Sequence, residues 1–332
     1  MMEAITVNVK TAAYFVIVIS FLTLIVIPTN SGLIISQQTI MSKGVIINVS
    51  EKIEFGFTVQ EFQDSEAELV KDCGSKWIRC DIETIDDTSG PIIRKMDGYQ
   101  NYGQKLIGII DYWTIPPGIR ANFTLEDWEG VVNSVATKYK GIISAYEIWN
   151  EPDGLTDPTT RSGYQNGPDH YFEMLEQAYN LIKSVDSNAL VIAGALTNPI
   201  NETFSIRLSQ LGAANYFDAY SIHTYDHLPQ KNFSAIVQRY SEIFNKTIWV
   251  TEIGYPSAES SGEQGQANFM DTHFNELVKG EIKPQVILWY MCRDDQSWQD
   301  IESSQSMGVL SVTCAPKLSF QVFKTFAAGS GS

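Results

Sequence analysis

The sequence predicts a single (β/α)8 barrel preceded by an N-terminal apolar segment, and three observations carry that reading. From about residue 51 to residue 328, apolar strand-like runs alternate with helical patterns, the signal of a parallel sheet or barrel. Eight such runs are present, as many as a closed barrel requires. No GxGxxG follows the first run and no turn reads as a phosphate loop, which sets aside the open doubly wound sheet.

The first element is the apolar run Thr11–Ile27, which carries no charge and is closed by Pro28-Thr29-Asn30-Ser31-Gly32. It is near the short limit of about 17 residues for a membrane helix and longer than most signal-peptide cores. Residues 1–28 therefore read as a signal or membrane-anchor segment, with an uncleaved anchor favoured and a cleaved signal as the alternative. Lys10 before the run, with no further basic residue until Lys43, favours an N-terminus inside. Residues 29–50 lack periodicity and read as a linker or a first irregular strand. Either reading of the apolar segment exports the remainder, to the cell surface or beyond. Five N-glycosylation acceptor patterns, at Asn48, Asn122, Asn201, Asn232 and Asn245, agree with export.

The eight strand candidates are Ile53–Val59, Lys76–Ile82, Lys105–Tyr112, Ile142–Asn150, Ala189–Leu196, Phe217–Tyr225, Thr247–Glu252 and Pro284–Met291. Helical patterns fall between them. Ser65-Glu66-Ala67-Glu68 and Thr124-Leu125-Glu126-Asp127 read as capping boxes. Asp169–Val185 places Tyr171, Leu175, Ala178, Tyr179 and Ile182 at helical spacing, Gln266–Val278 repeats the pattern, and Leu318–Phe326 supplies an eighth helix, so that each strand is followed by one. The four cysteines allow three pairings, of which Cys292–Cys314 is the expected bridge and buried free thiols the alternative.

Composition excludes some functions. A net charge of −16, with no basic stripe, is the wrong sign for phosphate binding and argues against a nucleic-acid partner. There is no CxxC and no Cys/His cluster; His223 and His227 are four apart in a strand-to-loop context that does not converge on a metal. No metal and no cofactor are expected.

What remains is a pattern of carboxylates. The run Tyr146-Glu147-Ile148-Trp149-Asn150-Glu151-Pro152-Asp153 is strand-like and stops at an Asn-Glu pair followed by Pro; Thr247 to Pro256 repeats the arrangement with Glu252. In a barrel the C-terminal ends of all strands share one pocket, so Glu151 and Glu252 are expected to meet. Two carboxyl groups whose environments separate their pKa values are what glycosidic bond cleavage requires. Arg79 is a charge inside an apolar strand and needs a partner, which a carboxylate at the pocket would provide. His223 and Tyr225, two apart on one strand, share a face and are placed to orient that carboxylate. Asn150 offers an amide to a sugar hydroxyl, and Trp289 a stacking surface for a sugar ring. Tyr112, Trp113 and Trp298 are further candidates for lining the pocket.

Ile-Trp-Asn-Glu-Pro at 148–152 and Val-Thr-Glu-Ile-Gly at 250–254 resemble the acid/base and nucleophile motifs of clan A glycoside hydrolases. Within the clan the first motif looks most like families 39 and 5, and the second is similar also to family 17. The resemblance implies that Glu151 is the acid/base, Asn150 the 2-hydroxyl contact and Glu252 the nucleophile. It also places Arg79, His223, Tyr225 and Trp289 where the clan keeps its supporting residues. The implied activity is retaining hydrolysis of β-linked oligo- or polysaccharides. The alternatives are a cell-surface transglycosylase using the same residues and a carbohydrate-binding or envelope protein on a degenerate barrel.

Overall fold

A computed structural model describes residues 52–154, 167–225, 228, 232–295 and 304–329, together with the backbone of Ile25–Thr29 and Gly32–Ser36. The chain divides into two units, Met1–Ile46 and Ile47–Ser332. In the first, Ile25–Thr29 and Gly32–Ser36 pair as an antiparallel hairpin. The apolar run Thr11–Ile27 lies outside the described residues except for its last three positions, as do most of the expected linker and the Asn48 acceptor pattern. Among the described residues no helix is long and apolar enough to cross a membrane.

In the second unit eight parallel strands close into a barrel, with β8 paired to β1. They are β1 (Glu54–Thr58), β2 (Trp77–Asp81), β3 (Lys105–Ile110), β4 (Ala145–Ile148), β5 (Leu190–Ala193), β6 (Ala219–Tyr225), β7 (Thr247–Gly254) and β8 (Val286–Trp289). Each lies within its predicted bounds except β7, which runs on to Gly254. Alternation gives every strand two apolar faces. Trp77, Ile107, Ala145, Ile192, Ala219, Trp249, Val286 and Leu288 fill the barrel interior. The residues between them pack outward on the helices. Phe55 and Phe57 on β1, for example, meet Phe323 at centroid distances of 6.0 and 4.0 Å.

The helix layer holds α1 (Asp64–Asp72), α2 (Leu125–Lys138), α3 (Gly167–Val185), α4 (Thr203–Leu211), α5 (Phe233–Phe244), α6 (Gly262–Lys279) and α7 (Leu318–Gly329). After β2 the place of a helix is taken by a 3-10 segment, Met96–Tyr102. There Gly98 lies so close to Phe62 that a Cβ would come within 2.8 Å of its ring. The capping box of α2 forms as predicted: Thr124 Oγ1 accepts from Asp127 N and Asp127 Oδ2 accepts from Thr124 N. The one predicted at Ser65 does not, because α1 begins earlier, at Asp64 after Gln63, and Ser65 falls inside it. Glu66, assigned by the sequence to that helix start, is buried instead, accepting from Tyr99 Oη at 2.8 Å and Arg293 Nε at 2.7 Å.

All four cysteines are thiols, so the expected Cys292–Cys314 bridge is absent. Cys292 is buried, and the Cys314 sulfur is directed to Ser65 and Gln63. Burial pushes the Cys73 thiol up to about 12 and that of Cys292 well above its ordinary value, which keeps both protonated. The four described acceptor asparagines, Asn122, Asn201, Asn232 and Asn245, are all exposed.

Candidate active site

One layer above the apolar plug, the barrel interior becomes charged. Arg79 projects from the middle of β2 between Ile78 and Cys80 and is 1% exposed. Its Nε donates to Glu147 Oε2 at 2.6 Å, Nη1 to Glu252 Oε1 at 2.7 Å and Nη2 to Asn150 Oδ1 at 2.9 Å. Burial alone would weaken this guanidinium's hold on its proton, but Glu147 and Glu252 outweigh it and raise the pKa, so Arg79 is a fixed cation. Glu147, on β4, is fully buried, and its other oxygen accepts from Ser221 Oγ at 2.9 Å and Thr251 Oγ1 at 3.1 Å. Four strands thus meet in one hydrogen-bonded polar layer, with every oxygen of the buried carboxylate satisfied.

Both strands that carry the expected carboxylates break their alternation just before the glutamate. On β4, Glu147 faces inward and Ile148 outward; Trp149 then adopts φ +68°, and its indole also lies outward, stacked near Phe123 and Trp128 at 6.1 and 6.0 Å. That turn returns Asn150 to Arg79, and Glu151 follows with φ +52°. Left-handed backbone at two non-glycine residues is a strain that the surroundings must hold. Gly194 on the loop after β5 provides room, since a Cβ there would sit 2.1 Å from the Trp149 carbonyl oxygen. Tyr171 of α3 adds a clasp by donating to Ile148 O at 2.8 Å and accepting from Gly194 N at 2.6 Å. On β7 the device is a bulge. Ile222 pairs with Val250 and His223 with Glu252, so Thr251 is an extra residue. Thr251 and Glu252 both face inward as a result, and the strand then resumes with Ile253 in the outer core.

His223 and Tyr225 of β6 stand between these two strand ends. His223 Nδ1 is 3.2 Å from Glu151 Oε1, and its Nε2 is 3.6 Å from Glu252 Oε1. One buried imidazole thus spans the two carboxyl groups. Its burial lowers the pKa, but Glu252 and the hydrogen bond with Glu151 more than offset that and leave it raised. Tyr225 Oη donates to Glu252 Oε2, and burial together with that carboxylate pushes the phenol well above its ordinary pKa, so it stays a donor. Glu252 therefore receives Arg79 on one oxygen and Tyr225 on the other. No group of three or more His, Cys, Asp or Glu side chains that could hold a metal ion occurs among the described residues, and His227 lies outside them.

Residues 124–308 match the sequence model of a family described as the glycosyl hydrolase catalytic core, which is more than half of the chain. The chain belongs to the glycosyl hydrolase catalytic core family. Among solved structures it is similar to a family 39 glycoside hydrolase from the gut symbiont Bacteroides cellulosilyticus WH2, with TM-score 0.65 and 20% identity over 84% of this chain and 64% of that one. It is similar also to xylanase 10B from Thermotoga maritima, with TM-score 0.64 and 16% identity over 84% of this chain and 96% of that one. A third is the exo-β-1,4-mannosidase Op5Man5 from Opitutaceae bacterium strain TAV5, with TM-score 0.61 and 13% identity over 84% and 60%. These likenesses are of fold. The chain spans less than two thirds of the family 39 structure, at 64% of its length. No curated protein matches the chain.

In this glycosyl hydrolase core the structure brings together six of the seven residues singled out in the sequence: Glu151, Glu252, Arg79, Asn150, His223 and Tyr225. Trp289 is the exception and a correction. It is fully buried and points outward, its Nε1 donating to Met307 O at 2.9 Å and its ring against Phe269 and Phe274. It offers no face to a sugar. The alternation of β8 explains why: Val286 and Leu288 face the interior, so Trp289 cannot, and Tyr290 can. Tyr290 is half-buried, its ring 6.4 Å from that of Tyr225, and its phenol pKa is raised by burial and by Glu252. Parity counted along the strand would have found it. Glu147 is the other residue passed over. On the rim, Trp113 is exposed, and it and Tyr112 both have the Arg120 guanidinium at 5.2 Å from the ring. Trp298 lies outside the described residues.

Proposed function

We propose that this chain is a retaining glycoside hydrolase acting on β-linked oligo- or polysaccharides at the cell surface or outside the cell. The observation that carries the reading is the convergence of Glu151 and Glu252, from different strands, on the two nitrogens of His223. Double displacement needs one carboxylate held ionised and one able to exchange a proton. Glu252 has the first environment: a fixed cation on one oxygen and a phenolic donor on the other. Glu151 has the second. Its side chain is more open, at 18% exposure against 9% for Glu252, and it faces the titratable imidazole of His223.

In the first step a Glu252 oxygen attacks the anomeric carbon while Glu151 gives its proton to the departing glycosidic oxygen. In the second, water passes a proton to Glu151, attacks the same carbon and frees the Glu252 carboxylate. Asn150, fixed through its oxygen by Arg79, keeps its amide hydrogens for a sugar hydroxyl.

The test is release of sugar from β-linked polysaccharides and aryl β-glycosides by the full chain and by Glu252→Gln. Activity in the parent and none above background in the variant, with an unchanged circular-dichroism spectrum, is the expected result. Retained turnover by purified Glu252→Gln removes the nucleophile assignment. Glu151→Ala should keep the first step on glycosides with activated leaving groups and lose it on unactivated ones. Equal loss on both would remove the acid role. Product of inverted anomeric configuration, followed by NMR, would overturn the retaining mechanism.

A further inference from the structure

Asp81 ends β2, two residues past Arg79 and therefore on the same, inward face. It is half-buried, and no hydrogen bond or ion pair reaches its carboxylate among the described residues. Arg79 cannot serve it, because its Nε, Nη1 and Nη2 are directed to Glu147, Glu252 and Asn150. Elsewhere the shielded carboxylates are matched: Asp294 accepts from Lys317 at 2.7 Å, Asp153 from the Thr197 backbone at 2.6 Å, and Glu66 from Arg293. Burial, with Glu83 and Glu252 adding to it, pushes the Asp81 carboxyl up to about 6 despite the pull of Arg79.

The neighbouring strands supply two more polar groups in the same condition. Thr58 of β1 is buried, alternates inward opposite Phe57, and its Oγ1 has no partner. The Tyr290 hydroxyl at the end of β8 has none among the described residues, and the ring lies in the field of both Glu252 and Asp81. Strands β8, β1 and β2 are adjacent. The arc they form therefore presents three unsatisfied polar groups beside Glu252. The residues that follow Thr58 and Tyr290 in the chain, Val59, Gln60 and Met291, line a cavity of about 220 Å³ together with Glu61, Arg94 and Arg293. Other buried polar atoms without a partner, such as Tyr146 Oη and Gln177 Oε1, stand singly, whereas these three groups lie on adjacent strands at the pocket end, where a hydroxylated ligand would satisfy them together.

We propose that Asp81 is a substrate-binding residue whose carboxylate accepts hydrogen bonds from hydroxyl groups of the sugar transferred to Glu252, selecting neutral hydroxylated sugars over uronic acids at that position. The proposal rests on the glycosidase reading above. A carboxylate on the sugar would meet Asp81 and Glu252, and the Arg79 guanidinium beside them is already shared between two glutamates.

The experiment measures turnover of 4-nitrophenyl β-glucoside, β-galactoside, β-mannoside, β-xyloside and β-glucuronide by the full chain, Asp81→Asn and Asp81→Ala. It also measures binding of the same glycosides and their monodeoxy analogues by calorimetry in the Glu252→Gln background. Asp81→Ala should lose roughly 10- to 100-fold in affinity for the preferred glycoside, the usual worth of a hydrogen bond to a charged group. Asp81→Asn, which keeps an acceptor oxygen, should lose less. One monodeoxy analogue should bind the parent and Asp81→Ala alike, identifying the contacted hydroxyl. Affinity and turnover within twofold of the parent in Asp81→Ala overturn the proposal, as does an equal loss on every deoxy analogue or a parent that prefers the glucuronide. Binding that depends on Asp81 without turnover by the parent would retain this inference and remove the hydrolase reading. Failure of the parent to bind or cleave any glycoside would remove both. If Asp81→Ala does not fold, Asp81→Asn with the deoxy series decides.

Discussion

Arg79 holds the site at the scale of the residue, and Glu147 holds Arg79. The guanidinium is buried with two carboxylates, and only one of them, Glu252, is free to take part in chemistry. Removing Glu147 would leave a buried cation half-compensated and allow it to swing away from Glu252. Breaking a buried pair in this way costs about 3–5 kcal/mol. Glu147→Ala should accordingly lower the unfolding free energy measured by urea denaturation by that amount, and Glu147→Gln by less because it keeps an acceptor for Ser221 and Thr251. Both should depress kcat more than they raise KM, since Glu147 touches no substrate. A Glu147→Gln enzyme unchanged in both assays would show that the ion pair does not position Glu252. The rule that finds Arg79 in the sequence, that a charge within an apolar strand needs a partner, applies equally to Glu147 in Tyr146-Glu147-Ile148. What the sequence does not show is that they are each other's partner, 68 positions apart and separated by β3. Trp289 fails for a different reason. Residue type suggested a sugar platform, while parity, which was equally legible, assigns it to the helix layer and Tyr290 to the pocket.

At the scale of the element, both glutamate-bearing strands abandon regular geometry at the position that matters. Strand existence and order were legible because apolar runs bounded by turn residues announce a buried parallel strand. The bulge at Thr251 was not, since Trp249-Val250-Thr251-Glu252 alternates plausibly in either register and strict alternation would turn Glu252 outward with Val250. The left-handed Trp149 was equally hidden, because no glycine marks it. Its mark is remote, at Gly194 across the β4–β5 boundary. A methyl group there would meet two backbone oxygens, of Trp149 at 2.1 Å and Ile148 at 2.7 Å, neither of which can rotate aside. Gly194→Ala should therefore cost at least the roughly 1–3 kcal/mol typical of overpacking and lower kcat by displacing Glu151. Gly130→Ala makes the matched control. That glycine is exposed on α2 with nothing within 4 Å of a built Cβ, so the change should stabilise by about 0.5–1 kcal/mol and leave kcat alone. Thermal melts and initial rates of the two variants check the contrast; a Gly194→Ala enzyme with parental kcat would mean that Glu151 does not depend on the Trp149 turn.

At the scale of the whole molecule, a chain of net charge −16 gathers further negative charge at the open end of its barrel. Asp81 is a group on which this acts, with the pull of Arg79 only partly offsetting it. Its folded pKa of about 6 lies above its ordinary 3.8, so the folded state binds the proton more tightly than the unfolded chain. The stability this contributes is complete below pH 3.8 and is lost as pH rises to about 6, after which the deficit is constant. The charges facing it, Arg79 on its own strand, Glu83 and Arg94 beyond it and Glu252 across the pocket, are all retained in Asp81→Asn. The variant should then melt close to the parent at pH 4 and above it at pH 7, by roughly 2–4 °C for each kcal/mol that the charge costs. A variant melting below the parent at pH 7 would show that Asp81 has a structural partner. The sign also separates two kinds of residue. A structural carboxylate loses stability when neutralised, whereas one kept for a ligand gains stability and loses affinity, because the hydrogen bonds that would satisfy it come from the sugar.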